Sequence, residues 1–168
     1  MAPKITRKIA SDGPKSATGQ QRGFAYKRAW EHIKHAKAQE CWLEVIALVE
    51  SMLSDRLEAR YAHLFDQAPD GRKVPMGLGH AARRLRDKNP PETSDLNEIY
   101  DAVQAWAQRR NTALHGMVKV FEQDTLTDWD ARTAANAATA KDGEKLFRKL
   151  DRKIREANSV TRPNKRGR

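Results

Sequence analysis

The chain has 168 residues, of which 39% are hydrophobic and 32% are charged, and its formal net charge is +10. This length favours one domain with flanking tails over two separate cores. The sequence has no run approaching the about 20 apolar residues of a transmembrane helix, which excludes that class of protein.

The single cysteine, Cys41, excludes an intramolecular disulfide and a zinc site made from several cysteines. The first 23 residues contain no apolar segment typical of a secretory signal. Together these features predict a cytoplasmic protein that does not associate with membranes. Because Cys41 lies beside Trp42 in a segment predicted to be helical, we interpret it as a small core residue and not as a nucleophile.

The excess positive charge is concentrated at the two ends of the chain. Residues 1–22 hold five basic residues and one acidic residue, and residues 141–168 hold eleven and four. The remainder holds sixteen basic and seventeen acidic residues. We predict a disordered basic arm over 1–22, a helical domain over 23–158 and a disordered basic tail over 159–168. We give equal weight to two interpretations of these charged ends: they keep the protein soluble, or they attract nucleic acid non-specifically.

Apolar residues at steps of three and four predict helices along most of the chain. The segment 24–65 lacks glycine and proline, and its apolar stripe runs from Trp42 to Leu64. The more polar part before Trp42 is either a separate helix or a kinked continuation. Two prolines and two glycines predict a loop over 67–77, and a short helix follows over 78–88.

Two further helices complete the predicted fold. Asp95 with Glu98 predicts the start of the third helix, and Thr127 with Asp130 predicts the start of a last helix that ends near residue 158. Only the segment 117–121 has strand character, and it is too short and isolated to form a sheet. We therefore predict an all-α fold, an antiparallel bundle of four to five helices.

The third helix leads into the sequence Arg109-Arg110-Asn111-Thr112-Ala113-Leu114-His115-Gly116. Arg110-Asn111-x-x-x-His115 resembles the Arg-polar-x3-His motif of the HEPN family, small α-helical proteins that include many metal-independent ribonucleases. The outline of residues 26–157 is also similar, with a long first helix, a short helix that starts at Leu78-Gly79, and a long helix after the motif.

The resemblance implies that Arg110, Asn111 and His115 are catalytic residues that face a second copy of the chain in a homodimer. It implies an endoribonuclease of the toxin or phage-defence type, with RNA as substrate and no cofactor. It further implies a neutralising partner, an antitoxin of the nucleotidyltransferase type.

The residue types themselves suit this chemistry. Cleavage of RNA without a metal needs a base for the ribose 2′-OH, an acid for the leaving 5′-oxygen, and positive charge for the transition state. Histidine serves as either base or acid near neutral pH, and arginine offers planar, permanently charged donors to phosphate. Asn111 and His115 share a helical face, so the amide can orient the imidazole. Arg110 lies about 140° away from His115 around a regular helix, so a two-fold partner would have to bring an arginine and a histidine together.

The alternative interpretation is structural. Arg110 then pairs with a carboxylate such as Asp101 or Glu98, and His115 caps the helix before Gly116. The protein would be a non-catalytic module that binds nucleic acid or protein with the help of its basic arms. Arg109 either contacts a phosphate or, as we favour, is a solvated surface residue.

Some other residues are weaker candidates for a catalytic or metal-binding site. Glu50 lies within an apolar stretch, and acidic residues of the same helix reach the site in some HEPN proteins. His32 and His35 have a spacing that could ligate zinc, but no third ligand is evident, and we predict no metal site. His80 is interpreted as a surface residue. The four tryptophans are interpreted as core or dimer-face residues and not as a platform for bases: Trp30, Trp42, Trp106 and Trp129.

Overall fold

A computed structural model describes residues 17–65, 77–87, 92–116 and 125–160. All regular structure within these ranges is helical, which confirms the predicted all-α class for this part of the chain. The five helices are α1 (Ala17–Ala38), α2 (Trp42–Phe65), α3 (Leu78–Arg86), α4 (Ser94–Gly116) and α5 (Leu126–Val160). The strand-like segment 117–121 and the predicted loop, apart from Gly77, lie outside the described residues, as do residues 1–16 and 161–168.

The first helical segment is separate from the second. Glu40 adopts a left-handed backbone conformation with φ 55°. The N–H of Cys41 bonds to the carbonyl of Ala36, and the N–H of Glu40 bonds to that of Lys37. This pair of bonds is the Schellman ending of a helix, which here closes α1 before α2 begins at Trp42. The interpretation of Cys41 as a helical core residue is therefore wrong, because Cys41 is exposed in the turn between the two helices.

The first helix begins earlier than the predicted domain boundary at residue 23. Residues 17–22, which we assigned to the basic arm, form the first turns of α1. The reason is a contact with α2, because Arg22 Nε lies 2.6 Å from Asp55 Oδ2 and Tyr26 donates to the same oxygen at 2.6 Å. At the other end, α5 continues to Val160, two residues into the predicted tail.

All five helices contribute to one hydrophobic core, to which α1 supplies Ile33 and Ala36 while it packs along α2. Helix α2 contacts α5 and α3, and α4 contacts the same two helices. The predicted apolar faces of α3 and α4 are buried here, with Leu85 and Val103 fully inaccessible. None of the described helices has the length and apolar character needed to span a bilayer.

Two predicted helix starts are displaced by one or two residues. Helix α4 begins at Ser94, and Asp95 lies inside its first turn, where the carboxylate contacts Lys153 at 2.9 Å. The start of α5 is a reciprocal cap between Thr125 and Asp128, because each side chain bonds to the backbone N–H of the other, at 3.4 Å and 2.7 Å. The predicted pair Thr127 and Asp130 has the same spacing but falls after this cap.

The junction of α4 and α5 is built around Trp106, whose side chain is fully buried. Its indole N–H donates to the carbonyl of Thr139 over 2.8 Å. Gly143 passes so close to the ring that an added Cβ would lie 2.7 Å from a ring carbon. The other tryptophans are less buried: Trp30 and Trp42 are partly buried against the core, and Trp129 is 46% exposed.

Candidate active site

The Arg110-Asn111-x-x-x-His115 motif occupies the last two turns of α4. The helix continues without interruption to Gly116, so the motif is helical throughout. Ala113, inside the motif, is buried and anchors this turn to the core. His115 is exposed in the final turn of the helix, and Asn111 is exposed one turn earlier.

Arg110 is held by two neighbours. One guanidinium nitrogen, Nη2, donates to the Glu50 carboxylate of α2, and Nη1 donates to Asn111 Oδ1 at 2.6 Å. The Arg110 side chain is only 17% exposed and that of Glu50 is 27% exposed. The Arg110 Nε atom is buried and has no hydrogen-bond acceptor among the described residues. The guanidinium is therefore oriented by a carboxylate, with one donor still to be satisfied.

The motif residues fall into two groups in a single chain. Arg110 and Asn111 are in contact, so the amide oxygen orients the guanidinium and not the imidazole that we predicted. Because α4 has no break, His115 projects about 140° around the helix from Arg110. One copy of α4 does not direct this histidine and this arginine to one point.

The structural alternative named the wrong carboxylate for Arg110. Asp101 contacts Arg86 at 3.0 Å, because α3 packs along that face of α4, and Glu98 is exposed. Glu50, which sequence reasoning kept only as a minor candidate, is the partner that the fold supplies. The sequence feature that pointed to Glu50 is a carboxylate within the apolar pattern of α2.

Arg109 points away from Arg110, towards α5. Its Nη1 lies 2.8 Å from Asp142 Oδ2, and both side chains are about half exposed, at 52% and 44%. The contact joins the motif helix to α5, one residue before the motif. Arg109 is thus a surface residue, as we favoured, and it is paired with a carboxylate.

The remaining histidines stand apart from the motif. His32 and His35 are exposed on α1, and His80 is exposed on α3. Within the described ranges, no group of three or more histidine, cysteine, aspartate or glutamate residues is arranged to hold a metal ion.

Comparisons of the chain with protein-family models, with curated proteins and with solved structures found no match. The assignment of a function therefore depends on the residues of this chain and on their geometry.

Proposed function

We propose that the chain is a metal-independent endoribonuclease of the HEPN type, acting as a homodimer. The observation that carries the proposal is the end of α4, where Arg110 is held in place beside an exposed Asn111, with His115 exposed one turn further on. These are the residues that the sequence motif selects, and the uninterrupted helix leaves Asn111 and His115 exposed while Arg110 is half-buried.

In the proposed reaction, a histidine takes the proton of the ribose 2′-OH, and the 2′-oxygen attacks the adjacent phosphorus. The bond from phosphorus to the 5′-oxygen then breaks, and a second proton goes to that oxygen. The products are a 2′,3′-cyclic phosphate and a 5′-hydroxyl. The Arg110 guanidinium stabilises the additional negative charge on the phosphate oxygens.

The angle between Arg110 and His115 supports a site made by two chains. A two-fold axis beside the end of α4 would bring His115 of one protomer towards Arg110 of the other in a shared groove. Two histidines would then be available, one as the base and the other as the acid. The toxin or phage-defence role and the antitoxin partner follow from the resemblance alone, and the cytoplasmic location is carried over from the expectation based on the sequence.

One observation favours the alternative, a non-catalytic helical module. Arg110 already has a carboxylate partner in Glu50, so its position has a structural explanation without any substrate. The two candidate functions differ in one outcome, which is whether RNA is cut.

The test is incubation of the purified protein with structured RNA in excess EDTA, followed by analysis of the new ends. We expect 2′,3′-cyclic phosphate ends, and we expect their formation to fall at least about 100-fold in His115→Ala, the lower end of the range that one acid–base group contributes. His35→Ala removes another exposed histidine, from α1, and is the matched control. Cleavage that survives in His115→Ala would disprove the site, and absence of cleavage by the wild type would favour the alternative.

The dimer is tested by co-expression of wild-type chains with an excess of His115→Ala chains. If each groove needs both histidines, mixed dimers are inactive. The cleavage rate per wild-type chain then falls as the excess of His115→Ala chains increases. A rate per wild-type chain that stays constant would place the whole site within one chain.

A further inference from the structure

Helix α5 carries a row of positive side chains along its exposed face. The row repeats at alternating steps of four and three residues, which keeps its members within about 80° of the helix circumference. All five members are exposed: Lys141, Lys145, Arg148, Arg152 and Arg155. We call this row the α5 basic face. It extends over about 21 Å.

The carboxylates in the same part of α5 neutralise little of the positive charge of this row. Asp142 is bound to Arg109, and Glu144 is bound to Lys37 at 2.8 Å, so both are engaged by other helices. Asp151 and Glu156 contact the C-terminal end of the row, at Arg155 and Arg152. Among the described residues, the three cations at the N-terminal end of the α5 basic face therefore have no carboxylate partner.

Two aromatic rings lie under the row. The Arg148 guanidinium is 4.6 Å from the ring centre of Trp30, and the Lys141 ammonium is 5.5 Å from that of Trp42. Beside Trp30 the surface forms a hollow of about 270 Å³, which Phe147, Arg148 and Asp151 complete. A row of cations combined with stacking surfaces is the arrangement by which proteins bind single-stranded nucleic acid without sequence preference. A stacked arginine is itself a surface on which an unpaired base can lie.

The row begins beside α4, one residue before the motif. Asp142, the neighbour of Lys141, contacts Arg109, and Arg109 precedes Arg110 on α4. A strand that follows the α5 basic face from Arg155 towards Lys141 would therefore arrive at the motif helix.

We infer that the α5 basic face is a binding track for single-stranded RNA that leads to the end of α4, with a base stacked at Arg148 and Trp30. The choice of RNA over another polyanion rests on the proposed function. The charge and the stacking surfaces do not depend on it. The two tryptophans, interpreted from the sequence as core or dimer-face residues, gain a role in supporting the cations that contact RNA.

The test is the salt dependence with which the protein binds a fluorescent single-stranded oligonucleotide whose 2′-hydroxyls are methylated. Lys145→Gln with Arg152→Gln removes two charges from the row, and the slope of log affinity against log salt should decrease by about 1.4. Arg83→Gln with Arg84→Gln is the matched control, since both residues are exposed on α3, which contacts α2 and α4 but not α5 in the described part of the chain. Its slope should change by less than half as much. Equal changes in both variants would show that only the overall charge matters, and would overturn the track.

Stacking is tested with Arg148→Lys, which keeps the charge but removes the planar group. Its affinity should fall about fivefold or more at an unchanged salt slope, because stacking contributes about 1–3 kcal/mol per base. An unchanged affinity would remove the stacked base from the proposal. Binding of poly-glutamate as tight as that of RNA would assign the face to an acidic protein and overturn the RNA track.

These measurements are independent of cleavage, because an oligonucleotide with methylated 2′-hydroxyls cannot be cut by 2′-oxygen attack. If the binding measurements overturn the track but the wild-type protein still cleaves a dinucleotide, this inference alone is refuted. If the binding measurements support the track but no RNA is cleaved, the proposed ribonuclease is refuted and the binding surface stands.

Discussion

Glu50 on α2 accepts a hydrogen bond from Arg110 on α4, so the residue that would face the phosphate already lies against a negative charge. Both side chains are mostly shielded from solvent, which limits screening of the pair. The carboxylate has two opposing effects on a ribonuclease: it orients the guanidinium, and it repels an incoming phosphate. Substitutions of Glu50 can separate these effects.

Glu50→Gln keeps an oxygen acceptor for Arg110 and removes the negative charge. We expect the affinity for RNA with methylated 2′-hydroxyls to increase about fivefold, which corresponds to about 1 kcal/mol of relieved repulsion. Glu50→Ala also removes the acceptor, and we expect kcat to fall while KM changes less. Weaker binding by Glu50→Gln than by the wild type would show that the carboxylate does not oppose the substrate.

The candidate site could be predicted from the sequence only in part. The motif is local, so Arg110, Asn111 and His115 could be selected as candidates from the resemblance of one short segment to a family motif. The partner of Arg110 could not, because Glu50 is 60 positions away and the pairing depends on how α2 and α4 are rotated. Asp101, which is nearer in sequence, is taken by Arg86 because α3 packs on that side of α4.

The fold shows the same division between local and distant causes. Spacing of apolar residues predicted the helices and the buried faces of α3 and α4, because burial follows helical periodicity. The sequence left open whether α1 ends before Trp42, because a glutamate, Glu40, occupies the left-handed position that glycine usually fills. Seven of the eleven basic residues in 141–168 lie on helix α5, so most of the C-terminal positive charge belongs to the helical domain. A count of charges along the chain does not show that a helix aligns them.

Gly143→Ala should destabilise the protein, although alanine is ordinarily the better helix former. The added Cβ would lie 2.7 Å from a ring carbon of Trp106, which is fully buried and held by its bond to Thr139. We expect the free energy of unfolding in urea to fall by about 1–3 kcal/mol. Gly23→Ala in α1 is the matched control, because nothing lies within 4 Å of its added Cβ. It should stabilise the protein by up to about 1 kcal/mol, and a loss of stability in both variants would contradict the steric explanation.

Tyr26 makes stability sensitive to alkaline pH. Burial, and then the Asp55 carboxylate, raise the pKa of Tyr26 well above the ordinary tyrosine value. The Tyr26 hydroxyl donates a hydrogen bond to Asp55 Oδ2, with 2.6 Å between the two oxygens. The folded protein thus keeps this proton while the unfolded chain loses it above about pH 10. Stability from this group is complete below that pH and decreases as the pH rises above it.

We expect Tyr26→Phe to lower the free energy of unfolding by about 1 kcal/mol at pH 7 through the lost hydrogen bond. The difference between wild type and Tyr26→Phe should then shrink above pH 10, by up to about 1.4 kcal/mol per pH unit. Urea unfolding at several pH values between 8 and about 11 measures this difference. A difference that is constant across the range would show that the tyrosine titrates normally in the folded protein.

Arg60 and Glu92 form a buried ion pair that fixes the start of α4 against α2. Arg60 donates to both carboxylate oxygens, at 2.9 Å and 2.8 Å, and the two side chains are 3% and 5% exposed. Arg60 also donates to Asn158 near the end of α5. Arg60→Met leaves the carboxylate buried without its cation, and we expect a loss of about 3–5 kcal/mol in the free energy of unfolding.

The double variant Arg60→Met with Glu92→Met separates pairing from desolvation. Because two apolar side chains need no compensating charge, we expect the double variant to be more stable than Arg60→Met alone. Urea unfolding of the wild type, both single variants and the double variant gives the coupling free energy of the pair. Losses that simply add would contradict a coupled pair. They would indicate instead that packing around the two stems, and not the meeting of the charges, holds α4 against α2.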